Sequence, residues 1–368
     1  MSRIKSVDTI RGLSLFFMIY GHMILFWLRP EDQWLKFWLF AFLKPIGATG
    51  FLFVSGVSAT LAFKNNENTK KVSMTTMRNI YLLRAIFILI IGLFFNLGVA
   101  FTFEGGNLAS IWSWNALQTI AISLLLLWPL LKTSKKFRIF LAVSVILLNQ
   151  ILFGTLTLYN GQDNILGFLY YLLFNPSDQY VILNYFGITL IGSVIGNIIF
   201  NLINMDNKEK KVFIFKDMFI IYTFFIGIFI FAFGVWLQFP NFLIYGTLSS
   251  LVYSIGFIIA LLTMLIIIEV LEVIKTKKSY RYLFFYSYYS FTLFLTHNLL
   301  LMLFFQQLDA YFTIWIVLVS FMIVIGYLLR LMYYKLGIYA SVKSVLSIIS
   351  AYIVTKLEKN SVRTILAD

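Results

Sequence analysis

The chain has 368 residues, 61% of them hydrophobic and only 12% charged, with a net charge of +14 and no cysteine. That balance excludes an ordinary soluble globular protein, in which about a quarter of residues are charged. It also excludes disulfides, a cysteine nucleophile and thiolate metal sites.

Ten apolar runs approach the roughly twenty residues that a helix needs to cross a bilayer. They fall near 8–28, 38–63, 79–102, 109–131, 137–158, 180–203, 217–237, 247–274, 281–305 and 311–334. The expected fold is therefore all-α, a polytopic membrane helix bundle of about ten helices, or eleven if the tail also crosses. The first run lacks a small-residue cleavage pattern and is read as a retained helix, not a removable leader. Asn164–Phe174 is apolar but short, which fits a re-entrant or interfacial piece. The chain divides into a membrane domain at 1–337 and a region at 338–368, expected to hold an amphipathic or eleventh helix and a cytoplasmic-side tail.

Orientation follows from lysine and arginine. With a cytoplasmic N-terminus, 26 of the 29 basic residues fall on the inner side, leaving Arg29, Lys36 and Lys44 outside. This positive-inside asymmetry predicts an integral protein of the cell membrane. It accounts for the basic balance without a nucleic-acid partner.

Ionisable side chains at membrane depth are rare and face a protein interior or a wet cavity. Arg11 and His22 stand eleven residues apart in the first run. At about 100° and 1.5 Å per residue they share one helix face, about 16 Å apart along the axis. Asp8 lies on the same side, and Leu15 and Met18 fill the stripe. His297, in the ninth run, falls at a depth similar to that of His22, so a shared cavity is expected. A neutral imidazole there can take a proton from an attacking hydroxyl or amine. Plainer readings stand beside these: histidines bonded between helices, Asp8 and Thr9 capping the helix start, and Arg11 reaching the headgroups. Asn115 and Gln118, nearly one turn apart, can form one hydrogen-bonding face. Glu269 is read as reaching the interface, Glu104 as a weaker substrate-binding candidate, and Tyr286, Tyr288 and Tyr289 as an aromatic belt. Gly47, Gly50 and Gly56 are read as close helix packing. Two histidines and few deep carboxylates make a thin ligand set, so no metal is expected.

The opening Arg3-Ile4-Lys5-Ser6-Val7-Asp8-Thr9-Ile10-Arg11-Gly12-Leu13, followed by Met18-Ile19-Tyr20-Gly21-His22, resembles the start of the heparan-α-glucosaminide N-acetyltransferase-like membrane proteins, within the wider transmembrane acyltransferase superfamily. Gly50–Ser58, Asn115–Ala121 and Tyr289–His297 resemble later blocks in the same order, with Phe294 where the family's late block usually has tyrosine. The resemblance implies transfer of an acetyl or other acyl group from cytosolic acyl-CoA to a sugar or glycan on the opposite side. Carried over by position, His22 is the catalytic histidine, with His297 as a second catalytic or lining residue. Asp8, Arg11, Asn115 and Gln118 organise the substrate site. Arg78 and Arg84, on the basic inner face, are expected to draw the donor's phosphates. The expected partners are the bilayer, acyl-CoA and a glycan acceptor; homodimerisation is left open. The alternative is a transporter of a polar solute using Arg11, His22 and His297.

Overall fold

The computed structural model describes residues 4–103, 106, 108–175, 181–204, 221–244, 246–270 and 281–365. Among them the regular structure is all helical, and the chain is a polytopic membrane helix bundle. In chain order the helices are α1 (Lys5–Trp27), α2 (Trp34–Lys44), α3 (Gly50–Thr69), α4 (Met74–Phe103) and α5 (Ala116–Leu130). Then come α6 (Lys135–Leu156), α7 (Ile165–Phe174), α8 (Ile182–Ile203), α9 (Ile221–Leu237) and α10 (Leu248–Val270). The last are α11 (Arg281–Tyr288), α12 (Ser290–Thr296), α13 (Asn298–Leu301), α14 (Thr313–Lys335) and α15 (Val342–Ile365). Among the described residues seven helices are long and apolar enough to cross a membrane, and the helices at 116–130, 165–174 and 221–237 are shorter apolar ones.

Three expected spans differ. The run 38–63 is not one helix: α2 ends at Lys44, a π-helical turn covers Pro45–Thr49, and α3 follows. Pro45 supplies no N–H and its ring crowds the preceding turn, so the regular ladder is interrupted there. The run 281–305 is divided into α11, α12 and α13, with breaks at Tyr289 and His297. The run 109–131 becomes regular α-helix only at Ala116, where the Asn115 side chain accepts from the Gln118 N–H and caps α5.

The chain forms two compact units. The first comprises residues 1–55 and 198–340, the second 56–197 and 341–368. In the first, α1 is a core helix: Ile10, Leu15, Ile19, Met23, Ile24 and Trp27 are fully enclosed, while Arg11 and His22 stay half-buried. Gly12 lets its backbone touch α11, since a methyl group there would overlap the Leu283 carbonyl. A methyl group on Gly50 would likewise press on the Ser14 hydroxyl. α9 and α10 pack through Gly227, Gly234 and Gly256.

The tyrosines read as an interfacial belt do something else. Tyr286 and Tyr289 are fully buried. Tyr286 donates to the Met322 carbonyl of α14 at 2.8 Å, and Tyr289 to the Gly337 carbonyl at 2.8 Å. Clustered tyrosines carry the same signature in sequence whether they sit at headgroups or pin one helix to another.

In the second unit Gly56 lies against the Thr189 carbonyl, and Gly187 against Ile146. α15 packs on α4, where Thr76 donates to Glu358 at 2.7 Å. Phe94 of α4 and Phe140 of α6 leave large apolar surface uncovered. Such rings suit a lipid solvent and not water.

Candidate active site

α1 carries three of the eight residues singled out from sequence, Asp8, Arg11 and His22, and His297 meets it from the α12–α13 break. The helix is held at both ends. Its first N–H groups have no intrahelical acceptor, and the Glu269 carboxylate of α10 takes two of them, from Lys5 at 2.9 Å and Ser6 at 2.7 Å. Glu269 therefore supplies the cap expected of Asp8 and Thr9. Thr9 donates back to the Lys5 carbonyl, and no side chain at the N-cap position makes a capping bond. At the other end, backbone bonds join Gln306 to Phe26, Leu308 to Trp27 and Arg29 to Leu308. The Arg29 guanidinium adds a bond to the Gln307 carbonyl at 3.1 Å.

Freed from capping, Asp8 faces the interior. Its Oδ1 accepts from Arg11 at 3.3 Å and from the Ser287 hydroxyl at 3.5 Å. Asp8 and Arg11 thus form a partly enclosed ion pair beside α11.

His22 and His297 meet directly. His22 Nδ1 lies 2.8 Å from His297 Nε2, with the rings 5.0 Å apart. His297 Nδ1 lies 2.6 Å from the Phe294 carbonyl one turn earlier. This short chain of bonds fixes the tautomers. A carbonyl oxygen can only accept, so His297 Nδ1 carries its proton. A neutral His297 then has a bare Nε2, which accepts from a protonated His22 Nδ1. His22 is left with an unprotonated Nε2 that has no hydrogen-bond partner among the described residues. His297 is buried at 1% exposure, whereas His22 keeps accessible surface. The pair has the form of a base and its orienting partner.

Asn115 and Gln118 belong to the second unit, where they join Asn96 of α4. Asn115 Nδ2 donates to Asn96 Oδ1 and, at 3.2 Å, to the Gly92 carbonyl. Asn96 Nδ2 lies within bonding distance of Gln118 Oε1, at 2.9 Å, and of the Ile111 and Ser113 carbonyls. Gly92 makes this approach feasible, because a Cβ there would press on the Gln118 N–H. Gln118 is fully buried, yet its Nε2 has no partner among the described residues. Replacing Asn96 with leucine removes one of the two acceptors of the Asn115 amide and the donor to the Gln118 side-chain carbonyl, and is expected to lower stability by about 2 kcal/mol. Thermal unfolding of the purified chain reads this; an unchanged midpoint refutes it.

Arg78 and Arg84 lie on α4, Arg78 exposed and bonded to Asn79, Arg84 partly buried. Glu104 lies outside the described residues. Among the described residues no three histidine or acidic side chains gather as a metal set.

No curated protein matches the chain. A family model described as Heparan-alpha-glucosaminide N-acetyltransferase, catalytic, matches residues 3–227. The matched stretch is more than half of the chain and takes in α1 with Asp8, Arg11 and His22, as well as Asn115 and Gln118. The chain belongs to the heparan-alpha-glucosaminide N-acetyltransferase catalytic family and is a membrane acetyltransferase.

Proposed function

We propose that the chain moves an acetyl or other acyl group from acyl-CoA on the cytoplasmic side to an amino or hydroxyl group of a sugar on the far side, with His22 Nε2 as general base. The observation that carries this reading is the bare nitrogen of His22, held by a second histidine, on the first helix of an acetyltransferase family member. The acceptor's N–H or O–H gives its proton to Nε2 as its heavy atom attacks the thioester carbonyl. The resulting tetrahedral centre collapses, the C–S bond breaks, and the imidazolium returns the proton to the departing thiolate. In the two-step alternative Nε2 itself takes the acyl group, expelling the thiolate before the acceptor arrives. The same bare nitrogen serves both routes.

Asp8 and Arg11 order the site beside His22, and Asn115 and Gln118 hold the buried amide cluster that they form with Asn96. Arg78 and Arg84 attract the donor's phosphates. The lysine and arginine asymmetry supports a cell-membrane protein with its N-terminus in the cytoplasm.

The test uses the full chain in nanodiscs with acetyl-labelled acetyl-CoA and a glucosamine-terminated oligosaccharide. Label is expected on the sugar amine. Coenzyme A alone is expected to raise the unfolding midpoint, since saturation at about a hundred times Kd stabilises by about 2.7 kcal/mol. The rise should shrink in an Arg78→Ala, Arg84→Ala variant. No rise at millimolar coenzyme A, together with no label transfer, overturns the reading.

A further inference from the structure

The second unit contains a cleft of about 730 Å³, lined by one continuous stretch of chain between Asn160 and Asn175. That volume lies within the range typical of small-molecule sites. The lining combines neutral amides, the Asp163 carboxylate and the rings of Phe168, Tyr170 and Tyr171, with no lysine, arginine or histidine among the described residues. Without a cation the cleft offers nothing to a phosphate or a carboxylate. With so many hydrogen-bonding groups it is a poor match for an alkyl chain.

The loop entering α7 is braced by its own bonds. Asn164 Oδ1 accepts from the Gly167 N–H at 2.8 Å, capping the helix. Asn164 Nδ2 donates to Gln162 Oε1 at 2.9 Å, and Gln162 Nε2 donates to the Leu158 carbonyl at 3.1 Å. Gly161 occupies the left-handed region at φ +77°, which closes the turn. These bonds commit Gln162 and Asn164 to the loop. Asp163 and the Asn160 side chain make no bond to any described residue. The outcome is a rigid rim with an uncommitted carboxylate and an uncommitted amide beside aromatic rings.

We propose that this cleft binds an uncharged pyranose unit. The Asp163 carboxylate accepts from adjacent ring hydroxyls, Asn160 supplies a mixed donor and acceptor, and the aromatic wall covers the C–H face of the sugar. The unit comes either from a free glycan or from a glycolipid headgroup. The inference does not rest on acyl transfer, and its test contains no acyl donor.

The full chain is reconstituted in phosphatidylcholine nanodiscs, with sugar-based detergents avoided throughout. In one arm maltose is titrated and saturation transfer to its ring protons is measured by NMR. In the other, glucosylceramide is included and its retention is read by native mass spectrometry. Binding is expected in at least one arm, and Asp163→Ala is expected to weaken it about tenfold or more. Asp163 is exposed and unbonded, so this variant keeps its fold. Loss on substitution in the maltose arm identifies a free glycan, and in the ceramide arm alone a glycolipid. Absence of binding in both arms, or binding indifferent to Asp163→Ala, overturns the proposal.

Discussion

Replacing His22 with alanine is expected to lower kcat for acyl transfer by about a thousandfold, in the middle of the range that a positioned general base contributes. The donor's KM and the stabilisation by coenzyme A should hardly change, because the lost interaction belongs to the transition state. Folding is checked by the unfolding midpoint, since the change also leaves His297 Nε2 without its donor, a loss of about 1–3 kcal/mol. Turnover equal to wild type in a folded variant ends the general-base role and the two-step role together. Mixing wild-type protein with acyl-CoA and no acceptor separates the two routes: a burst of free thiol, one equivalent per chain, marks the acyl-imidazole, and silence marks direct attack.

The second large effect is expected at His297. Leucine there removes the acceptor that holds the proton on His22 Nδ1, and His22 then samples both tautomers and more than one ring orientation. A wrong tautomer removes most of a base's usefulness, so kcat should fall by about a hundredfold while the donor's KM stays put. Glutamine offers a carbonyl oxygen in place of Nε2 and should restore part of the rate. Nitrogen-15 NMR of labelled histidine reads the cause directly. His22 should be protonated at Nδ1 in the wild type and mixed in His297→Leu. Should the tautomer and the rate both survive the leucine, His297 has no orienting role.

The all-helical membrane architecture was legible because its signal is repetitive: run after run of apolar residues with basic residues between them. The pairing of His22 with His297 was partly legible, from matched depth in two apolar runs. Which nitrogen does what was not, because it depends on a 2.8 Å contact between residues 275 positions apart and on the Phe294 carbonyl. Glu269 was misread for the same reason. Local pattern offers Asp8 and Thr9 as caps, whereas the residue that does the job lies 264 positions from Lys5. The break at Pro45 was available in principle, since proline interrupts a helix ladder, but a long apolar run masked it. Asn115 is both a helix cap and part of a buried amide cluster, and only the first of these has a local signature.

The double anchoring of α1 has a mechanical consequence. Sliding this helix by one turn, about 5.4 Å, would tear two amides from Glu269 at one end and four bonds from residues 306–308 at the other. Gly12, wedged on the Leu283 carbonyl, resists rotation as well. On the proposed reading His22 therefore serves as an anvil and not as a shuttle. A carrier must swing its binding groups from one compartment to the next, but an acyl donor and its acceptor need only be brought to a stationary point, and the reactants, not the histidine, do the travelling.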